Sequence, residues 1–93
     1  MASDRVAYHL EVQRRLRGLL ANVAGMLESE PTRQIEELID ANEVGLALEF
    51  MVGYLVEGDR RVSSDALTEI DDLAHTMGIS DNIRDERAQL SGG

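Results

Sequence analysis

One run of sequence, NEVGLALEFMVGYLVEGD at residues 42–59, constrains this chain more than any other. At helical spacing, Tyr54, Ala47, Met51, Val44, Leu55, Leu48, Val52, Gly45 and Val56 follow one another around more than half of a helix circumference. An arc that wide cannot be buried by one neighbour. A helix over about 43–57 is therefore expected at the centre of the fold, packed from several sides. Gly58 and Asp59 stop it. A mid-helix glycine costs about 1 kcal/mol relative to alanine. For Gly45 the expected offset is the close approach of another backbone.

The narrower arc carries Glu49, Asn42, Gly53, Leu46, Glu57, Phe50 and Glu43. Leu46 and Phe50 lie one turn apart on one face, among the carboxylates of Glu43, Glu49 and Glu57. Two readings stay open. In the first, the terminal helix or the first helix covers the apolar pair. In the second, the pair is an anchor ringed by acid, suited to docking a basic protein surface. The apolar centre supplies affinity, the charges steer approach, and Gly53 leaves room for a partner side chain. On that reading the partner-binding residues are Glu43, Leu46, Glu49, Phe50, Gly53 and Glu57.

The rest of the chain also reads as helices, with no alternating strand pattern. Val12, Leu16, Leu19, Leu20, Val23, Met26 and Leu27 form a stripe on a first helix expected to end near Glu28. That helix begins either near Asp4, with Ser3 or Asp4 as cap, or near Glu11, because Leu10 falls off the stripe. Pro31 opens a second helix, with Ser29 or Glu30 before it and Ile35, Leu38 and Ile39 as its apolar face. Asp40-Ala41-Asn42 makes the following cap and bend.

Beyond the central helix, the connection DRRVSSDA is polar, and Ser63 or Ser64 caps a fourth helix with Leu67, Ile70, Leu73, Ala74 and Met77 on its core face. Gly78 suits a left-handed C-cap, with Ile79 as the apolar residue beyond it. Ser80 is placed to cap a short last helix to Gln89, docked through Ile83 and Leu90, and Ser91-Gly92-Gly93 reads as a flexible tail. The expected fold is all-α: one domain over 1–93, a compact bundle of four to five short helices around a central apolar one.

Eighteen acidic residues against nine basic ones give a net charge of −9, a field that repels phosphates and disfavours direct binding to nucleic acid. All nine cations are arginine. There is no cysteine, hence no disulfide frame and no thiolate chemistry. The segment RRLRGLLANVAGML has a charged start and an apolar run, but Asn22 interrupts it and it is too short to span a membrane. A soluble, cytoplasmic protein without membrane association is expected.

Nothing in the sequence assembles a catalytic apparatus. His75 shares a helix face with Asp71 and Asp72, but a protein metal site needs three or four ligands, and a charge pair near a helix end accounts for the spacing. The acid pairs Glu36-Glu37, Asp71-Asp72 and Asp85-Glu86 are solvated helix faces rather than a sheltered acid–base pair. An acyl carrier protein matches in size and charge, but Ser63-Ser64-Asp65-Ala66-Leu67 has the wrong order for a prosthetic-group serine. No catalytic, cofactor-binding or metal site is expected. Arg14, Arg15 and Arg17, with Arg60-Arg61, form the basic clusters, and internal salt bridges are their expected use.

Between residues 35 and 79 the chain resembles the MafI-type immunity proteins of bacterial polymorphic toxin systems. The resemblance rests on the lead-in IEELIDAN, on Glu43 with Gly45-Leu46-Ala47-Leu48-Glu49, on Tyr54-Leu55-Val56-Glu57, and on the closing Met77-Gly78-Ile79. It implies a small cytoplasmic protein that binds a cognate toxin domain, often a nuclease, and neutralises it by non-covalent occlusion. A basic toxin surface would suit the acidity. The alternative is a small acidic adaptor or dimerisation module unrelated to toxins, forming a homodimer through its long first helix.

Overall fold

The computed structural model describes residues 2–58 and 61–91. Five α-helices follow one another: α1 (Ala2–Val23), α2 (Ser29–Asp40), α3 (Val44–Gly58), α4 (Ser64–Met77) and α5 (Arg84–Ser91). Tight 3-10 turns occupy Ala24–Met26 and Ser80–Ile83. Among the described residues there is no strand, and the fold is an all-α bundle. No helix among them is long and apolar enough to cross a membrane.

α3 packs against α1, α2, α4 and α5, as its wide apolar arc demands. Its Ala47, Leu48, Met51, Val52 and Leu55 are buried, and Val44, Tyr54 and Val56 are packed at the edge of the core. Around them close Val12, Leu16, Leu19, Leu20 and Val23 of α1, Ile35 and Ile39 of α2, and Ile70, Leu73 and Ala74 of α4. Ile83 and Leu90 seal the C-terminal end, as their spacing predicts. The result is one aliphatic cluster with no buried polar or charged side chain among the described residues.

The junctions follow local backbone chemistry. At the end of α2, Asn42 takes a left-handed conformation (φ 62°), and the Asn42 and Glu43 amides donate to the Ile39 and Leu38 carbonyls. These are the paired bonds of a Schellman stop. Gly78 ends α4 in the same way (φ 71°): its amide reaches the His75 carbonyl, and that of Ile79 reaches Ala74. Ser63 caps α4, its hydroxyl accepting from the Ala66 amide at 3.2 Å. Pro31 lies in the first turn of α2, where an amide donor is not required, and the Thr32 hydroxyl donates to the Glu28 carbonyl at 2.9 Å.

Several expectations are corrected. α1 begins at Ala2, so Ser3 and Asp4 lie inside it rather than capping it. It ends at Val23 instead of near Glu28, because the chain tightens into a 3-10 turn through Gly25 before reversing into α2. Glu28 precedes α2, and no side chain caps that end. Ser80 opens a 3-10 turn and caps nothing. Val62 and Ala66, in a segment read as polar, are both buried. Ser91 closes α5, while Asp59, Arg60, Gly92 and Gly93 lie outside the described residues.

Gly45 does not serve a close backbone approach. A Cβ built there would meet only the Ile79 side chain, at 3.9 and 4.0 Å, which is ordinary contact. Gly45→Ala is therefore expected to raise stability by about 0.5–1 kcal/mol through helix propensity. Leu48→Ala, at a fully buried position, should lower it by about 2–5 kcal/mol. Denaturant unfolding of the two variants checks both signs.

Candidate functional site

The face of α3 that the core leaves free is the candidate site. Leu46 is 40% exposed and Phe50 39%, so the core leaves both partly open to solvent. Phe50 stands edge-on to Tyr54, with ring centroids 6.2 Å apart. The Tyr54 hydroxyl donates to the Gln34 side-chain oxygen on α2, which fixes the ring. Gln34, Glu37, Leu38 and Phe50 line a shallow depression between α2 and α3. Further along the same groove, Leu27, Glu28, Pro31, Tyr54 and Glu57 line a second.

Of the six residues singled out from the sequence, Leu46, Glu49, Phe50, Gly53 and Glu57 lie on α3 and Glu43 immediately before it, with differing exposure. Glu43 and Glu57 are exposed, whereas Glu49 and Gly53 are half-buried. Glu43 also has a backbone task, its carbonyl accepting the Ala47 amide at 2.9 Å as α3 begins. Glu49 faces the C-terminal segment, where the Asn82 amide nitrogen donates to it at 3.5 Å, at the limit of a hydrogen bond. A Cβ at Gly53 would meet nothing within 4 Å. Sequence reasoning did not find Gln34, Glu37 and Leu38 as neighbours of Phe50. Only the packing of α2 on α3 brings them there.

The paired arginines meet carboxylates of helices and turns other than α3. Arg15 of α1 pairs with Glu69 of α4, Arg17 with Asp40 of α2 at 2.8 Å, and Arg14 with Glu11 one turn earlier in α1. Arg87 of α5 grips Asp71 of α4 through two bonds of 2.7 and 2.9 Å. Arg33 lies between Glu30 and Glu37, and Arg84 beside Asp81. Internal pairing is indeed how the Arg14, Arg15 and Arg17 cluster is used; Arg60 lies outside the described residues. The shifted proton affinities follow these pairs: the hydrogen bond from Arg14 holds the Glu11 carboxyl below its usual range, and the bond to Glu69 raises Arg15.

Among the described residues no arginine pairs with Glu43, Glu49 or Glu57, and α3 itself carries no basic residue. Glu57 also sits in the last turn of α3, where the helix dipole disfavours a negative charge. Its placement is unfavourable for the isolated chain.

His75 lies exposed in the last turn of α4, and its neighbour Asp71 is engaged by Arg87. Among the described residues, no group of three or more histidine, aspartate or glutamate side chains is placed to hold a metal ion. A second exposed apolar group, Val6, Tyr8 and Leu10, lies on the first turns of α1. That segment is tied down by the Tyr8 hydroxyl donating to the Thr76 carbonyl at 3.1 Å and by a 3.3 Å contact between His9 and Asn42.

Compared with protein-family models, curated proteins and solved structures, the chain matches none of them.

Because Phe50 is partly exposed, Phe50→Ala should cost only about 1–2 kcal/mol, less than Leu48→Ala in the same helix. Parallel denaturation curves of the two variants decide this. A loss for Phe50→Ala equal to that for Leu48→Ala would make Phe50 a core residue.

Proposed function

We propose that this chain is an immunity protein that binds a cognate toxin domain and blocks it by occlusion. One observation carries the reading: an exposed apolar pair, Leu46 and Phe50, stands on a helix whose carboxylates have no arginine partner among the described residues, while the arginines pair elsewhere. The arrangement suits a basic protein surface, since the ring of charge steers encounter and the apolar centre holds the complex. Nuclease surfaces are basic where they hold phosphates, and an acidic face seated there would exclude the substrate. The likeness to MafI-type immunity proteins between residues 35 and 79 supports the same reading. The protein would act without catalysis, in the cytoplasm of a bacterium.

The reading requires a toxin gene beside this chain's gene, and the test is co-expression with the C-terminal domain which that gene encodes. Co-purification of the two proteins and rescue of growth are expected; capture without rescue, or neither, contradicts the proposal. Reversing charge with Glu49→Arg and Glu57→Arg together should weaken the complex by about tenfold or more, chiefly by slowing association, with helicity and melting undiminished. Unchanged binding by that folded variant would remove this face from the interface.

A second reading, a dimerisation module, is favoured by the exposure of Val6 and Leu10 on α1. It requires a dimer by analytical ultracentrifugation that Val6→Ser with Leu10→Ser converts to monomer.

A further inference from the structure

On the outer side of α3, residues spaced i, i+3, i+4 and i+7 enclose the kind of hole that receives one side chain of a facing helix. Leu46, Glu49, Phe50 and Gly53 form one such diamond, and Phe50, Gly53, Tyr54 and Glu57 form the next. Gly53 belongs to both. Because a Cβ there would meet nothing within 4 Å, the two holes are deepest where they share that corner. Their walls are firm on one side: Phe50 rests edge-on against Tyr54, whose hydroxyl is held by Gln34 of α2. Their rims are acidic, through Glu49 and Glu57, and no arginine among the described residues answers either carboxylate.

Helix propensity makes the glycine stand out. Alanine would fit at position 53 without displacing anything and would favour the helix, so nothing within the chain accounts for glycine there. A Cβ at Gly18 or Gly25 would also meet nothing within 4 Å, but only Gly53 shares a hole with the exposed Leu46 and Phe50. A glycine one turn beyond an exposed apolar pair lets another helix approach closely.

We infer that the partner meets this face with a basic amphipathic helix, one of whose apolar side chains seats in the hole bounded by Leu46, Glu49, Phe50 and Gly53, while arginines or lysines beside it pair with Glu49 and Glu57. This deepens the immunity reading and rests on it: the occupant is a helix of the toxin domain. Charge selects it. An acidic strand or nucleic acid would be repelled by the rim, and a neutral apolar helix would leave the carboxylates unanswered. The recognition is helix-in-groove, with affinity set by how deeply one side chain enters.

The experiment titrates the purified C-terminal domain of the adjacent toxin against wild type, Gly53→Ala and Gly53→Met by calorimetry, with a melting curve for each variant. Filling the hole should weaken binding by about tenfold or more for Gly53→Met, and by less for Gly53→Ala. Both variants should melt at or above the wild-type temperature, since the space is open and glycine disfavours the helix. Opposite signs for folding and binding are the signature. Wild-type affinity retained by a well-folded Gly53→Met would overturn the inference and leave the immunity reading standing. No binding by wild type would overturn both. Self-association abolished by Gly53→Met would place a second copy of this chain on the face, and would overturn the inference too. If Gly53→Met misfolds, Gly53→Ala alone decides, by whether its binding weakens while its melting temperature rises.

Discussion

Burial of α3 is the constraint on which the rest of this structure depends. A helix apolar around more than half its circumference needs neighbours on several sides, and α1, α2, α4 and α5 supply them. Leu48, Met51 and Val52 lose all contact with water, and the cluster they seed reaches from Val12 of α1 to Leu90 of α5. The turns matter because they bring those helices back: Asn42 and Gly78 each reverse the chain in a left-handed conformation within a residue or two of a side chain packed against the core. Once four helices surround α3, one narrow strip of it remains in contact with solvent. The candidate site is what the core leaves over.

What occupies that strip decides what the protein can do. The arginines tie the outer helices together, joining α1 to α2 and α4, and α5 to α4. An exposed pair such as Arg17–Asp40 contributes little to stability, about 0–1 kcal/mol. The arginines also neutralise carboxylates of the outer helices, while those of α3 stay without an arginine partner among the described residues, as do Glu28, Glu36, Asp65, Asp72, Asp85 and Glu86. Negative charge at the end of α3 works against the helix dipole, and glycine at position 53 works against the helix itself. Leu46 and Phe50 give up burial. These three departures from what would best stabilise the isolated chain fall on one face of one helix, and a basic, helix-bearing partner would relieve all of them together.

The fold was largely legible in the sequence because its strongest signals are local. The limits of α3 were read to within a residue, and the Asn42 bend, the Ser63 cap and the Gly78 stop each follow from side-chain or backbone chemistry within a few positions. The reading failed where the outcome depends on long-range packing. The apolar stripe continues through Met26, yet α1 stops at Val23, because the approach to α2 requires a tight turn there. Val62 looked like linker and became core through contacts that no local pattern announces. At the site, the helical wheel set Glu43, Leu46, Glu49, Phe50, Gly53 and Glu57 on one arc, but it could not say which of them are exposed, as Leu46, Phe50, Glu43 and Glu57 are, and which half-buried, as Glu49 and Gly53 are. Exposure there depends on where α5 comes to rest. The contribution of Gln34 and Leu38 beside Phe50 was equally invisible, since it arises from the pairing of α2 with α3.

The account stands most directly on where a basic partner touches the chain. Nuclear magnetic resonance of isotope-labelled protein, titrated with the unlabelled domain of the toxin proposed as its partner, reads this residue by residue without altering the sequence. The amides of Leu46, Glu49, Phe50, Gly53 and Glu57 should shift most, with those of Gln34 and Leu38 following and the first turns of α1 unmoved. Shifts gathered instead on Val6, Tyr8 and Leu10, with α3 unchanged, would contradict it.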